Sequence, residues 1–361
     1  MSMPSKMRHR GSNAVALVLL LCAAYGLSGC PGKVAPQWRD EIMRQDADRE
    51  PPAAVRAAEA RVRREPTSAS AHTVLAALYA QQGLPGLALA EFQAALNYDP
   101  EYVPAILGCA GVAVDHGDVQ RALRLYRRAV LVMPNHPLAH HNLAQIHLSR
   151  RDFAAAQEEF QRAAELDPRN KDVWLGLITA CLQGGRPERA LRYAEQALRL
   201  LGDLSEIHAN CGAALEALGK YAEAEEHYRT ALRVEPTDPL PMNNLAYLYA
   251  STGRKPAEAL RLARQATALG PHNAAFLDTL GYVLYRQRRC RSAAATLEEA
   301  KSLRPSSGVV RYHLGLVREA LGEANEAAAE LRIAVRLEPN APWARDAERR
   351  RRRQSSVASG H

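Results

Sequence analysis

Residues 69–100 read ASAHTVLAALYAQQGLPGLALAEFQAALNYDP, and this stretch decides the fold. Its apolar and small residues form two stripes with the i, i+3, i+4, i+7 spacing of an amphipathic helix. Gly83 separates the stripes and marks a turn. Pro100 ends the second stripe, because proline lacks the amide hydrogen that a continuing helix needs. The stretch therefore predicts a hairpin of two helices.

The hairpin recurs along the chain, as a series of closing prolines shows. Their spacing is 34 residues, with one interval of 35 and one gap of twice 34. The series consists of Pro66, Pro100, Pro134, Pro168, Pro236, Pro271, Pro305 and Pro339. A fixed period in this range indicates a solenoid, in which each unit buries its apolar face only by stacking on its neighbours.

Small residues recur at two positions of a frame in which each closing proline is position 32. Ala76 and Ala88 occupy positions 8 and 20 of the first copy, and alanine or glycine fills both positions in seven of the eight copies. A longer side chain there would force the two helices apart. The pattern resembles the tetratricopeptide repeat, and the resemblance covers residues 69–339.

Some copies depart from the pattern at their turns. The fourth copy ends in Gly202 in place of proline, and the sixth has one extra residue in its turn at residues 253–256. Arg151 and Arg288 stand where the turn glycine is expected in the third and seventh copies. None of these changes interrupts a helical stripe, so we expect local variants of the turns.

The resemblance implies an all-α fold, a right-handed superhelical solenoid of about eight helical hairpins with helical caps. We expect a signal peptide (1–29), then a lipidated cysteine and a tether that can include a first capping helix (30–52), then a degenerate half-repeat (53–68). Eight repeats follow, at residues 69–102, 103–136, 137–170, 171–204, 205–238, 239–273, 274–307 and 308–340. The chain then ends in a C-terminal capping helix (341–353) and a disordered tail (354–361).

The N-terminus has the pattern of a secretion signal. Lys6, Arg8 and Arg10 precede an apolar stretch at residues 14–27 that is too short to span a bilayer. The sequence Leu-Ser-Gly-Cys that ends at Cys30 resembles the lipobox of bacterial lipoproteins. The resemblance implies that Cys30 is lipidated after cleavage. There are two alternatives: an ordinary signal peptide with a chance cysteine, and an uncleaved membrane helix.

The two ends of the chain indicate which membrane holds the protein and where its net charge lies. Pro31 after Cys30, in place of aspartate, favours the outer membrane, facing the periplasm. The net charge of +8 comes mainly from residues 1–30 and 341–361, so the repeats are not expected to bind nucleic acid. The basic run 349–353 is either a solvated helix end or a contact for an acidic partner, anionic lipid or nucleic acid.

No group of residues predicts catalysis, a cofactor or a metal. Cys109, Cys181, Cys211 and Cys290 fall at packing positions, and Cys181 with Cys211 is the one plausible disulfide pair. The spacing of His136 and His140 could hold a metal, but His140 occupies a packing position. We therefore expect a protein that is not an enzyme.

The resemblance also implies a binding groove. First helices of such repeats line a concave face, with positions 2, 5, 6, 9, 12 and 13 pointing into it. The candidate partner-binding residues are Asn142, Gln145, Asn210, Asn243, Asn244, Tyr247, Asp278, Tyr282, Arg286 and Tyr312. Carboxamides at position 6 can pair with the amides of an extended peptide. Solvation or internal hydrogen bonding of the asparagines, and packing of the tyrosines, remain open.

These features predict an envelope-anchored scaffold that binds proteins or peptides and reaches the membrane through its N-terminal lipid. Its layout is similar to that of lipoproteins that assist type IV or tight-adherence pilus assembly or secretin assembly. The alternatives are an adaptor for cell-wall or exopolysaccharide machinery, and a non-lipidated chaperone or regulator.

Overall fold

The computed structural model describes residues 52–358, with side chains through residue 353. Every regular element in this range is a helix, which confirms the all-α fold class. The helices form two compact units, unit 1 up to Pro168 and unit 2 from Arg169. None of these helices is both long and apolar enough to cross a bilayer. The predicted signal peptide, Cys30 and nearly all of the tether lie outside the described residues.

Unit 1 begins with a single helix and continues with three hairpins. Its helices are α1 (Ala53–Arg64), α2 (Ala69–Gln81), α3 (Pro85–Tyr98), α4 (Val103–Asp115), α5 (Val119–Val132), α6 (Pro137–Ser149) and α7 (Phe153–Leu166). Helix α1 occupies the predicted half-repeat and packs on α2. The three hairpins correspond to the first three predicted copies.

Unit 2 contains five hairpins and a final helix. Its helices are α8 (Lys171–Gln183), α9 (Pro187–Leu201), α10 (Ser205–Ala217), α11 (Tyr221–Val234), α12 (Pro239–Thr252), α13 (Pro256–Leu269), α14 (Ala274–Arg286), α15 (Cys290–Leu303), α16 (Gly308–Ala320), α17 (Ala324–Leu337) and α18 (Ala344–Ala358). The five hairpins correspond to copies four to eight.

Helix α18 corrects the predicted C-terminal boundary. It runs to Ala358, so residues 354–358 are helical and do not belong to a disordered tail. Glu348 accepts hydrogen bonds from Arg351 and Arg352, one turn further along. Such i,i+3 and i,i+4 pairs favour helix in a segment that has almost no apolar stripe.

The small residues let the two helices of each hairpin pack closely. Position 20 is completely buried or nearly so in every copy, and its residues are Ala88, Ala122, Ala156, Ala190, Ala224, Ala259, Ala293 and Ala327. At position 8, a Cβ atom on Gly281 would lie 2.5 Å from Cγ of Leu297, and one on Gly212 would lie 2.5 Å from the Tyr228 ring. Leu297 and Tyr228 both occupy position 24. A small residue at position 8 therefore makes room for a bulky residue on the partner helix.

The turn at position 15 keeps one backbone conformation in all copies. Gly83 has a φ of 71°, in the left-handed region, and the other turn glycines are similar. Arg151 and Arg288 adopt the same conformation, with φ of 63° and 60°. A residue with a Cβ is strained there, because the Cβ approaches its own carbonyl oxygen. The two arginine turns therefore keep the geometry of the glycine turn and store strain.

Gly202 has a structural reason for replacing the closing proline. It follows α9 with a φ of 83° and a ψ of −172°, a combination that only glycine adopts readily. Proline is restricted to a φ near −65°. The chain leaves α9 in a direction that proline does not allow, so the interrupted proline series reflects the backbone path.

A polar bridge joins some copies to the turn before them. In copy one, His72 Nδ1 lies 2.7 Å from Glu91 Oε2, and Nε2 lies 2.9 Å from the Pro66 carbonyl oxygen. His140 and Arg311 make the same bridge in copies three and eight. The bridging residue is at position 4 and the carboxylate at position 23. Since a carbonyl oxygen only accepts, Nε2 of each histidine carries the donated proton.

Copy five makes this bridge without a carboxylate at position 23. His227 takes that place, and its Nδ1 lies 3.1 Å from Nδ1 of His208. Nε2 of His208 lies 3.2 Å from Asp203 Oδ1. Burial and the neighbouring His208 lower the pKa of His227. The two rings can share a hydrogen bond only while one of the facing nitrogens lacks a proton.

The cysteines of the described residues are free thiols. Cys109, Cys181 and Cys211 are buried, and Cys290 is partly exposed. Cys181 and Cys211, the pair that spacing alone allows, are not bonded. Burial raises the pKa of Cys109 and Cys181 to about 11 and that of Cys211 to about 12. These side chains therefore act as small apolar core residues.

Replacing Arg288 by glycine is expected to stabilise the protein by about 1 kcal/mol, because glycine adopts the left-handed conformation without strain. Chemical denaturation of Arg288→Gly and wild type measures the difference. The neighbouring Arg289 has a φ of −91°, so Arg289→Gly is a matched control without this gain. Equal shifts for the two variants would show that the strain at Arg288 is negligible.

Candidate partner-binding surface

The candidate residues of unit 2 lie on first helices that pack side by side. Helix α12 contacts α10 on one side and α14 on the other, and α14 contacts α16. Equivalent positions of successive copies are therefore neighbours on one face. This arrangement brings together Asn243, Asn244, Tyr247, Asp278, Tyr282, Arg286 and Tyr312 on α12, α14 and α16. Asn210 is on α10, and Asn142 and Gln145 are on α6 of unit 1.

Five rings form a continuous series, which we call the aromatic row. Its members, in order, are Tyr247, Tyr282, His313, Tyr312 and Trp343. Successive ring centroids are 5.4, 4.5, 5.6 and 5.0 Å apart. These separations are those of favourable aromatic pairs. All members except the buried His313 are partly exposed, so the row presents apolar edges and polar atoms to a partner.

Tyr247 has a free hydroxyl group. Its hydroxyl makes no hydrogen bond within the part of the chain that the structure describes, although its ring packs on Tyr282. Burial, with smaller contributions from Tyr282 and Glu216, raises the pKa of Tyr247, so the hydroxyl stays protonated. Tyr247 can therefore donate to a carbonyl or carboxylate of a bound partner.

Arg286 is the exposed cation beside the row. Its guanidinium lies 5.8 Å from the centroid of the Tyr282 ring. It donates hydrogen bonds of 3.1 Å to the Tyr282 hydroxyl and to the Ser251 carbonyl oxygen. These contacts hold the arginine in place while much of it stays accessible. Aromatic residues and arginine are the types that interface centres favour.

A buried hydrogen-bonded pair supports the middle of the row. Nδ1 of His313 lies 2.9 and 3.0 Å from the two carboxylate oxygens of Asp278. Both side chains are buried, and the His313 ring stacks on Tyr282 with centroids 4.5 Å apart. Asp278 therefore orients the ring on which Tyr282 rests. Because Asp278 is buried, a large partner does not contact it directly.

The far end of the row is closed by the C-terminal cap. Tyr312 stacks on Trp343, with an angle of 12° between the rings, and its hydroxyl donates to Asp346 at 2.9 Å. Arg350 also binds Asp346 and reaches Glu319 at 2.9 Å. Trp343 is absent from the sequence-based candidates because it follows the last full repeat. Continuing the 34-residue frame past Pro339 places it at position 2, which is a groove position.

The asparagines of copy six bond to each other. Nδ2 of Asn243 lies 3.4 Å from Oδ1 of Asn244. Asn243 is 8% exposed, and its Oδ1 is buried without a hydrogen-bond partner. A buried acceptor without a partner costs free energy that a donor from a ligand would recover. Asn142 and Asn210 are half-buried, and Gln145 is exposed.

Glu216 adds a titratable group that the sequence pattern does not single out. It is at position 12 of copy five, and the Tyr228 hydroxyl donates to its Oε2 at 3.0 Å. Burial raises the pKa of Glu216 to about 7, although the bond from Tyr228 acts in the opposite direction. This carboxyl group is therefore part protonated near neutral pH. Within the described residues, no group of three or more His, Cys, Asp or Glu is placed to hold a metal.

Comparison with protein families shows the class of protein. Three tetratricopeptide repeat models match the chain. One matches residues 41–102, 141–204 and 279–342, a second matches residues 205–238, and a third matches residues 79–146 and 113–163. The matches cover most of the chain and agree with the helical hairpins of both units. The chain belongs to the tetratricopeptide repeat family, whose fold is a scaffold suited to binding proteins or peptides.

Individual relatives are similar over parts of their length. Protein CTR9 homolog of Arabidopsis thaliana is 29% identical over 271 residues, which are 70% of this chain and 24% of that protein. BBSome complex member BBS4 of Bos taurus is 26% identical over 185 residues, which are 51% of this chain and 35% of that protein. The chain thus spans about a quarter to a third of the length of these curated relatives.

A solved structure supports the fold alone. A tetratricopeptide repeat protein from Parabacteroides merdae superposes with a TM-score of 0.61 at 16% identity. The match covers 69% of this chain and 98% of the other.

Glu216→Gln is expected to change how the stability of unit 2 depends on pH. A carboxyl group whose folded pKa is about 7, against an ordinary value of 4.5, stabilises the fold below pH 4.5 and loses that contribution as pH rises through 7. The loss is roughly 2 kcal/mol after allowance for solvent near the site. Glutamine stays neutral, so the variant lacks this loss.

Urea denaturation across that pH range compares Glu216→Gln with wild type. Glu188→Gln, on the exposed surface of α9, is the matched control and should follow the wild-type curve. If the Glu216→Gln and wild-type curves run parallel, the carboxyl group titrates with an ordinary pKa.

Proposed function

We propose that this protein is a lipid-anchored scaffold of the bacterial cell envelope that holds a protein partner against the aromatic row of unit 2. The observation that carries the proposal is the row itself, with the free hydroxyl of Tyr247 at one end and exposed Arg286 beside its centre. Partly exposed rings held by their neighbours lose little conformational freedom when a partner binds. Such groups are typical anchors of protein interfaces.

The attachment to a membrane is proposed from the first thirty residues. Lys6, Arg8 and Arg10, the apolar stretch 14–27 and the Leu-Ser-Gly-Cys sequence before Pro31 together support a cleaved signal and a lipid on Cys30. We place the anchor in the outer membrane, with the repeats in the periplasm. Stable anchoring requires more than one acyl chain, which a lipidated N-terminal cysteine with a free amine can carry.

The process we assign to the scaffold is assembly of an envelope complex, such as a type IV or tight-adherence pilus or an outer-membrane secretin. The layout supports this assignment, since a signal, a lipid site, a short tether and a row of repeats place a binding surface close to the membrane.

Removing two rings of the aromatic row is expected to abolish capture of the partner. The Tyr247→Ala/Tyr282→Ala protein should keep its helical circular dichroism, because both rings are partly exposed and lie outside the buried residues that join the two helices of each hairpin. Cross-linked pull-down from cell envelopes, followed by mass spectrometry, measures the proteins captured. Tyr247→Phe retains the ring and separates the contribution of the hydroxyl.

Tyr221→Ala is the matched control for these variants. Tyr221 is an exposed tyrosine at the start of α11, outside the predicted groove positions. Its replacement should leave the captured set unchanged. If the double variant captures the same partner as Tyr221→Ala and wild type, the aromatic row is not the binding site.

The lipid attachment is tested independently of the partner. Cells grown with an alkyne fatty acid should label the wild-type protein, and Cys30→Ala should remove the label, because no other thiol follows a lipobox sequence. Cys22→Ala alters a cysteine within the signal and should keep the label. Labelling of the Cys30→Ala protein, or none in wild type, would refute lipidation at Cys30.

A further inference from the structure

Helix α5 of unit 1 carries an unusual outer face. Its sequence, VQRALRLYRRAVLV, contains four arginines and no acidic residue. They are Arg121, Arg124, Arg127 and Arg128. The helical repeat places all four, together with Leu131, within an arc of about 120°. The opposite side of the helix supplies the buried residues Ala122, Tyr126 and Ala129.

The four arginines have no acidic counterpart. Within residues 52–353 none of them forms an ion pair, and Arg128 donates only to the Pro100 carbonyl oxygen. The equivalent face of α7 differs, since Arg162 pairs there with Glu165 at 3.1 Å. Outside α5, residues 52–168 contain 7 arginines, no lysine and 12 acidic residues. Helix α1 also carries four arginines, but two of them pair with Glu59 and Glu65, so α5 holds the largest group of arginines without an acidic partner in the described part of unit 1.

An exposed apolar residue lies on the same face. Leu131 lies within the arginine arc and is 80% exposed. Met133, in the turn directly after α5, is 45% exposed. Two large apolar side chains are therefore exposed within three residues. Burying such side chains is favourable wherever a partner offers an apolar environment.

We propose that this face of α5, from Arg121 to Leu131, binds an anionic phospholipid surface. Guanidinium groups pair with the phosphates of lipid headgroups, and Leu131 reaches the apolar layer beneath them, with Met133 close by in the turn that follows. A basic helix with exposed apolar residues is typical of a membrane-surface element. The contact belongs to the folded unit and does not depend on a lipid at Cys30.

Other anionic partners fit this face less well. Binding to single-stranded nucleic acid uses exposed aromatic rings for base stacking, but Tyr126, the aromatic residue of α5, is buried. An acidic protein would pair with the arginines but would leave the 80% exposed Leu131 at the centre of a charged contact. A membrane surface satisfies both the charged and the apolar groups.

Vesicle binding tests the proposal with the full chain carrying Cys30→Ser, so that no acyl group contributes. Phosphatidylcholine vesicles with and without phosphatidylglycerol are compared by co-sedimentation. The Arg124→Gln/Arg127→Gln/Arg128→Gln protein should bind the anionic vesicles roughly 100-fold more weakly than its parent. Leu131→Gln should weaken binding as well. Added salt should weaken the binding of the parent more than that of the triple variant.

The matched control removes three exposed arginines from another helix. Arg189→Gln/Arg192→Gln/Arg199→Gln changes the charge of α9 by the same amount and should retain the parental affinity. All proteins share the same N-terminal residues, so the differences between variants report the helices. Equal losses for the α5 and α9 variants would overturn the proposal, since net charge would then explain the binding.

A second measurement locates the contact. Hydroxyl-radical footprinting should show that anionic vesicles protect Met133 from oxidation in the parent protein but not in the α5 triple variant. Unchanged oxidation of Met133 on vesicle binding would overturn the proposal. Arginine-dependent binding to DNA or to an acidic peptide, without binding to vesicles, would also overturn it in favour of that partner.

Discussion

The close approach of two helices within each hairpin is the constraint on which the rest of the structure depends. An alanine at position 20 is buried in every copy, and a glycine such as Gly281 at position 8 leaves the space that Leu297 fills. Packing density of this kind allows no longer side chain without moving a backbone. Because each hairpin keeps the same internal geometry, successive first helices meet at similar positions, and side chains at the same or nearby positions of the frame become neighbours across copies.

The candidate surface follows from that regularity. Tyr247 and Tyr282 occupy the same frame position on neighbouring helices, so their rings meet at 5.4 Å. The polar bridges add a second kind of contact, since a residue such as His72 links its own second helix to the preceding turn. Apolar packing thus sets the spacing of the copies, while directional hydrogen bonds fix how copies one, three, five and eight meet the turn before them. A surface held in this way keeps its shape before a partner arrives, which lowers the entropic cost of binding.

Much of this structure could be predicted from the spacing of apolar and small residues, because that spacing indicates which side chains are buried. The hairpins, their turns and the placement of Tyr247 and Tyr282 on first helices follow from the frame. The pairing of Asp278 with His313, and the raised pKa of Glu216, depend on side chains from different helices, and no spacing rule encodes them. Trp343 lies beyond the last complete copy, and α18 is extended by Arg–Glu pairs that leave no apolar stripe to detect. The lipid site and the identity of the partner stay predictions.

The buried cysteines have a consequence for the chemistry of the folded protein. Thiols with pKa values of about 11 and 12, as for Cys109, Cys181 and Cys211, hold almost no thiolate at neutral pH, and the thiolate is the species that attacks a disulfide. Once the helices close over them, these side chains neither require an oxidant nor compete for one. In the folded repeats these three thiols are therefore unreactive in a reducing or an oxidising compartment alike.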